Sequence, residues 1–209
     1  MTIPPIRLAL GKHLGQVLTP ELAYSIEFQA AETPNLTLAP EKFGTQEYAG
    51  YLIQVELLSA ILPELHRLHE MQFQETERHR AGISLSANYD YMRAQERAGR
   101  MLQFTARDAA TQELIGNMRM YLYQDLHAGL LCCKEDTFYV LPAHRGGFLS
   151  IRLCQFAERA LVSIGVREIY LTTKFVNRAS SMAKYLKFKP VATEHVKIFD
   201  EAGKPVSLE

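Results

Sequence analysis

The residues with the clearest chemical potential lie in one turn. Arg145-Gly146-Gly147-Phe148 follows a β-rich run, Phe138 to Leu141, and precedes apolar residues at Leu149, Leu153, Phe156, Ala157, Ala160, Leu161 and Ile164. That spacing is one face of a helix. The first amides of a helix have no internal acceptor and the dipole is positive there, so such a start takes phosphate. Two glycines leave the backbone free to take positive φ and let a ligand come close. Arg145 adds a cation. The plain alternative is a strand-to-helix turn with a solvated arginine, and on the turn alone the two readings stand level.

Other reactive side chains read more simply. Cys132, Cys133 and Cys154 cannot all pair, and adjacent Cys132 and Cys133 project to opposite faces of a strand. They read as reduced thiols of a cytoplasmic protein, small hydrophobes rather than nucleophiles. His66, His69 and His79 lie on or near one helix. No further ligands stand at metal-binding spacing, so they read as solvated histidines and no metal is expected.

These residues need a scaffold. Pro142 ends the strand before the turn, and Gly165 ends the helix after it. A second β-rich run, Val166 to Thr173, completes a βαβ unit, whose strands are expected to be parallel with a right-handed crossover. Upstream, Met101 to Arg107 and Leu114 to Tyr123 read as a hairpin around Asp108-Ala-Ala-Thr-Gln. Tyr51 to Leu57 reads as a strand, followed by a helix capped at Ser59 and running to Arg78. A short helix, Tyr89 to Ala98, is capped by Asn88 or Ser86 and ended by Gly99. Thr19-Pro20-Glu21 starts a helix that reaches Ala31, and Thr33 to Gly44 is a loop. Met182 to Leu186 is a short helix. Final strands are expected over Pro190–Thr193 and Glu194–Phe199. The architecture is α/β (α+β), a mixed sheet of about six to seven strands flanked by helices. Residues 1–48 form an N-terminal extension and 49–209 the main domain.

Composition excludes several classes. The 209 residues are 47% apolar and 22% charged, as in a soluble globule. Lys plus Arg equals Asp plus Glu, 23 each, so net charge points to neither nucleic acid nor membrane. No apolar run approaches a membrane span, and the N-terminus lacks a signal-peptide pattern.

The stretch His144-Arg-Gly-Gly-Phe-Leu-Ser-Ile-Arg-Leu153 resembles the acetyl-CoA signature of the GNAT superfamily of N-acetyltransferases, Arg/Gln-x-x-Gly-x-Gly/Ala. Phe148 stands where the family has glycine, and Ser150 where it has glycine or alanine. The surroundings extend the likeness: Phe-Tyr-Val-Leu-Pro before it, Phe156-Ala-Glu after it, Asn177, and Lys187-Phe-Lys-Pro190. The order of these parts is most like GNAT proteins of tailed phages and prophages.

The resemblance implies an acetyl-CoA-dependent N-acetyltransferase of the GNAT fold, acting on a primary amine of a small molecule or peptide by direct attack. It implies that pantetheine pairs with Tyr139, Val140 and Leu141, while the pyrophosphate rests on amides of Arg145, Gly146, Gly147, Phe148, Leu149 and Ser150. Asn177 would hydrogen-bond the pantetheine arm or cap the following helix. In the family pattern Asn-x-x-Ala-x-x-Leu-Tyr the tyrosine protonates the leaving thiolate. Here position eight is Lys184 and the tyrosine is Tyr185, a slip that rotates the side chain by about 100°. Tyr185 is the expected acid, with packing on the sheet as its plain reading. For the base, Glu135, Asp136 and His127 are at hand, and Glu135 is preferred from its place on the central strand. The rival readings are a GNAT fold without turnover that keeps CoA, and an interaction protein with the front segment as docking arm or homodimer contact.

Overall fold

The structure is a computed structural model and describes residues 9–32, 38–77, 84–174, 179–199 and 203–206. Its strands are β1 Thr45–Tyr48, β2 Tyr51–Val55, β3 Met101–Asp108, β4 Leu114–Gln124, β5 Leu131–Val140 and β6 Glu168–Tyr170. They form one six-stranded sheet in sequence order. The ladders are antiparallel from β1 to β5, and β5 with β6 is parallel. The helices are α1 Pro20–Glu32, α2 Leu58–Thr76, α3 Tyr89–Arg97, α4 Leu149–Ser163 and α5 Ala179–Tyr185. A separate hairpin, β7 Ile198–Phe199 with β8 Pro205–Val206, stands outside the main sheet.

Helices cover both faces of the sheet. α4 buries Leu149, Leu153, Phe156, Ala157 and Leu161, and Phe156 meets Phe104 of β3 edge to face. α2 buries Ile61, Leu65 and Leu68 on the opposite face. Both faces of β3 and most of β4 are therefore buried. The α2 face carries a polar layer: Gln103, Thr105, Arg107, Asn117, Arg119 and Thr137 are all buried. Arg107 anchors one end of it, bonding Glu56 and Glu64 at 2.9 Å each.

Several local expectations hold. Thr19 accepts from Leu22 N–H, and Asn88 accepts from Tyr91 N–H, at their helix starts. Gly99 and Gly165 take positive φ after α3 and α4.

Others are corrected. α2 is not capped by Ser59. It begins after Leu57, and Glu96 of α3 accepts from Leu58 N–H at 2.7 Å, so a distant carboxylate supplies the cap. The strand expected over 166–173 shrinks to Glu168–Tyr170 because its neighbour diverges. Residues 190–197 form no strand; only Ile198–Phe199 does, and it pairs with β8. His69 is buried rather than solvated. His79 and Asn177 lie outside the described residues.

Candidate active site

The site is built where two parallel strands part. β5 and β6 share three rungs, Cys132 with Glu168, Cys133 with Ile169 and Lys134 with Tyr170. From Glu135 to Val140, β5 keeps β4 on one side and, among the described residues, has no strand on the other. Leu141 N–H donates to Ile115 O at 2.8 Å. Alternate residues of an antiparallel ladder turn toward the partner, so Val140 and Phe138 direct their N–H and C=O groups to the side without a strand, where Arg145 already takes the Val140 carbonyl. An extended amide-bearing chain can pair there as a strand would.

A bulge marks the point of parting. The β4–β5 register shifts between Arg119 and Met120, leaving Asp136 as the extra residue between Glu135 and Thr137. Ordinary alternation sends the neighbouring carboxylates to opposite faces, and the bulge lets Asp136 share the α2 face with Thr137. Glu135 stands opposite Met120 on the α4 face, where its charge acts on Cys154. Asp136 turns to the α2 face and pairs with Arg119. Glu135 is 8% exposed, not solvated, and accepts from Thr172 N–H at 3.2 Å across the parting strands. Burial pushes its carboxyl up to about 7, opposed by the Thr172 hydrogen bond. A carboxyl so placed can exchange a proton near neutral pH.

The turn after β5 continues the groove. Residues Pro142–His144 form a 3₁₀ turn, then Gly146 and Gly147 lead into α4. Neither glycine has the positive φ expected of it. What they provide is room, since a Cβ on either would meet nothing within 4 Å. Phe148 is the N-cap of α4 and offers no capping side chain. The amides of Leu149, Ser150 and Ile151 therefore lack a helical partner and a cap. The Phe148 ring is 53% exposed and lies 6.3 Å from the ring of Tyr185, which is 61% exposed. The two aromatics stand together beside the start of α4.

Arg145 does not stand free at the turn. Its Nε donates to Val140 O at 2.7 Å, and its guanidinium forks onto Glu75 of α2 at 2.7 and 2.8 Å. It also lies 4.9 Å above the Tyr139 ring. Tyr139 is buried, and its hydroxyl donates to Glu75 at 3.2 Å. Val140 and Leu141 are buried as well, so their side chains serve the core while their backbone forms the groove edge. His144 is taken by Tyr51, its Nδ1 lying 3.1 Å from the hydroxyl. His127 sits in the Asp125–Gly129 turn before β5, ahead of the parting point.

The thiols are excluded as nucleophiles. All three cysteines are free and buried. Burial pushes the Cys133 and Cys154 thiols up to about 12, so neither is a thiolate at neutral pH. Among the described residues no group of three or more His, Cys, Asp or Glu is arranged to hold a metal. No described helix is long and apolar enough to cross a membrane. A cavity of about 330 Å³ lies elsewhere, between residues 38–41, the β2–α2 junction, α3 and the start of β3. It contains none of the groove residues.

Sequence reasoning did not pick out Glu75 or Arg119, and it read His69 as solvated. Arg119 carried one signal: with Asn117 it places polar residues at every second position of an otherwise apolar strand.

The groove offers unpaired strand amides to an extended chain, open glycines and uncapped helix amides to an anion, and a buried carboxyl at the junction. The sequence profile of the acetyltransferase (GNAT) family matches residues 62–188. None of the curated proteins matches the chain in sequence. Three solved structures illustrate the shared fold. A ribosomal-protein-alanine N-acetyltransferase from Brucella melitensis biovar Abortus 2308 is 16% identical with a TM-score of 0.56, covering 72% of this chain and 99% of its own. An aminoglycoside acetyltransferase from an uncultured soil metagenomic sample, in complex with sisomicin, is 14% identical with a TM-score of 0.54, covering 72% and 95%. A glucosamine-6-phosphate N-acetyltransferase from Arabidopsis thaliana is 11% identical with a TM-score of 0.53, covering 72% and 99%.

Proposed function

Because this chain belongs to the acetyltransferase (GNAT) family, we propose that it transfers the acetyl group of acetyl-CoA to a primary amine by direct attack within the groove of β5. The observation that carries this reading is the loss of the β6 neighbour after Lys134, beside an uncapped helix start with open glycines. Acetyl-CoA supplies the activated acyl group. Phe138 holds its arm through its backbone N–H and C=O and Val140 through its N–H, the Val140 carbonyl being held by Arg145, and Gly146 to Ser150 receive its diphosphate. Asn177 is assigned to the arm on the family pattern alone.

The proton path uses two side chains. Glu135 takes a proton from the ammonium, directly or through water, which frees the nitrogen lone pair. The neutral nitrogen then forms its bond to the carbonyl carbon, the carbon–sulfur bond breaks as Tyr185 gives its phenolic proton to the departing sulfur, and the surplus proton on the nitrogen returns through water to the Tyr185 phenolate. Its exposure beside Phe148 leaves the hydroxyl free to reach the groove mouth. Amides at the β5 bulge stabilise the carbonyl oxygen as it gains charge.

The remaining assignments are of the same standing. The phage- and prophage-type subgroup rests on motif order. A cytoplasmic setting rests on three reduced, buried thiols. We divide the chain into an extension over 1–48 and an acetyltransferase domain over 49–209, with β1 as the extension's contribution to the sheet and a homodimer contact as its candidate role. The neighbours' names cover an aminoglycoside, a ribosomal-protein alanine and an amino sugar phosphate, so the amine class is carried over and the acceptor is not.

A second reading, a fold that keeps CoA without turnover, is favoured by Phe148 and Ser150 at glycine positions and by the commitment of Arg145 to Glu75. One experiment separates the two. Acetyl-CoA should raise the melting temperature, and free thiol should appear when an amine panel is added. Stabilisation without thiol release supports the silent fold, and no stabilisation removes both readings.

A further inference from the structure

The open edge of β5 has two sides. The α4 face holds the uncapped helix start and Glu135. A thioester laid along the edge with its diphosphate at α4 leaves the α2 face for the incoming amine. The carboxylate on that face is Asp136, and it is held by a chain of buried groups.

Arg119 donates to one oxygen of Asp136, Oδ2, twice: from Nη2 at 2.6 Å and from Nε at 2.9 Å. The arginine side chain is 4% exposed and the aspartate 41%. Arg119 Nη1 lies 3.4 Å from His69 Nε2, and His69 Nδ1 lies 3.0 Å from the Tyr89 hydroxyl. The His69 and Tyr89 rings stack at 5.7 Å with 1° between planes. Burial, reinforced by the Arg119 charge, pushes His69 down to about 3. The imidazole is therefore neutral, and a guanidinium beside Nε2 requires a lone pair there. The ring proton then sits on Nδ1 and points to Tyr89. Every member has one orientation that satisfies its neighbours. The chain ends at Asp136 Oδ1, which takes no hydrogen bond from the described residues.

We propose that Asp136 is the acceptor-binding carboxylate, receiving the ammonium group of the amine on Oδ1, and that Arg119, His69 and Tyr89 are positioning residues that fix it at the bulge. Strand alternation sets the adjacent acids apart: Asp136 on one face is accessible and holds the charge, while Glu135 on the other is buried and receives the proton through water at the open edge of β5. Acceptors are thereby restricted to those presenting an ammonium group to the α2 face. This inference rests on the reading of the β5 edge as the acetyl-CoA groove.

The test is a binding titration, which does not require turnover. n-Hexylamine and n-hexanol are titrated separately into ¹⁵N-labelled protein saturated with CoA. The amine should give saturable shifts at the Asp136 and Thr137 amides, and the alcohol should not. Asp136→Asn should weaken amine binding by about tenfold or more, as expected for loss of a charged hydrogen bond, with CoA affinity unchanged. Arg119→Gln should weaken it several-fold, and Arg119→Lys, which can still donate to Oδ2, should recover part. Should Arg119→Gln not fold, His69→Gln gives the same reading, because its effect must appear in amine affinity and not only in melting temperature. Equal amine binding by wild type and Asp136→Asn, or equal shifts with hexanol, would overturn the proposal. Amine binding that depends on Asp136 in a protein that never releases thiol from acetyl-CoA would support it while removing the acetyl-transfer reading.

Discussion

The two halves of β5 make an instructive pair. From Leu131 to Lys134 the strand has neighbours on both sides. Its two cysteines are fully buried, and the Cys133 thiol is pushed far from reactivity. From Glu135 to Val140 one neighbour is gone, and the side chains change character: a buried carboxyl near 7, a carboxylate on a guanidinium, a threonine bonded to Gln72 and a tyrosine bonded to Glu75. Reactive chemistry concentrates where the ladder stops supplying partners. A paired strand satisfies its own backbone, whereas an unpaired one must be completed by something else.

The sharpest way to break the comparison is at the turn that extends the open half. Gly147→Asp should lower acetyl-CoA affinity by about a hundredfold or more, because a carboxylate displaces and repels the diphosphate. The glycine is not in the left-handed region and its Cβ would meet open space, so the fold should be unaffected. Unchanged affinity by calorimetry, with unchanged circular dichroism, would break the link between groove and turn.

Glu135→Gln comes next. Loss of a general base should cost about 10²- to 10⁴-fold in turnover. The wild-type rate should rise through a pH near 7 as Glu135 ionises. The stability effect has the opposite sign. With the folded carboxyl near 7 against an ordinary 4.5, the folded state binds the proton more tightly across that window. Stability contributed by the protonated form is therefore lost as pH rises from 4.5 through 7. Glu135→Gln should gain on the order of 1–3 kcal/mol at pH 8 and little at pH 4. A variant less stable than wild type at pH 8 would contradict the burial argument.

Tyr185→Phe should slow turnover about tenfold with CoA affinity held. A rate equal to wild type would remove Tyr185 as the acid. The smallest functional effect belongs to the closed half. Cys133→Ala should cost about 1–2 kcal/mol by leaving a small void, with turnover unchanged. A large loss of activity there would erase the contrast between the halves.

Much of the scaffold was legible because it follows local rules. Helix starts at Thr19 and Asn88, stops at Gly99 and Gly165, and the Pro142 break each reflect a residue's own backbone chemistry. The βαβ unit and its turn followed from period and glycine placement. What stayed hidden was set by distant partners. Glu96 caps α2 from another helix. His69 is buried because Tyr89 and Arg119 close over it. Arg145, read as a free cation, is claimed by Glu75, seventy residues away. The shortness of β6 and the bulge at Asp136 depend on strand register, which no local pattern encodes.

Hydrogen exchange tests the central claim most directly. Phe138 and Val140 N–H groups face the side β6 has left, so they should exchange quickly in the free protein. Addition of acetyl-CoA should protect those two amides and those of Gly147 to Ile151, while Cys132 to Lys134, already paired on both sides, should not change. Protection confined to other regions, or Phe138 and Val140 amides that exchange slowly before any ligand is added, would contradict the account.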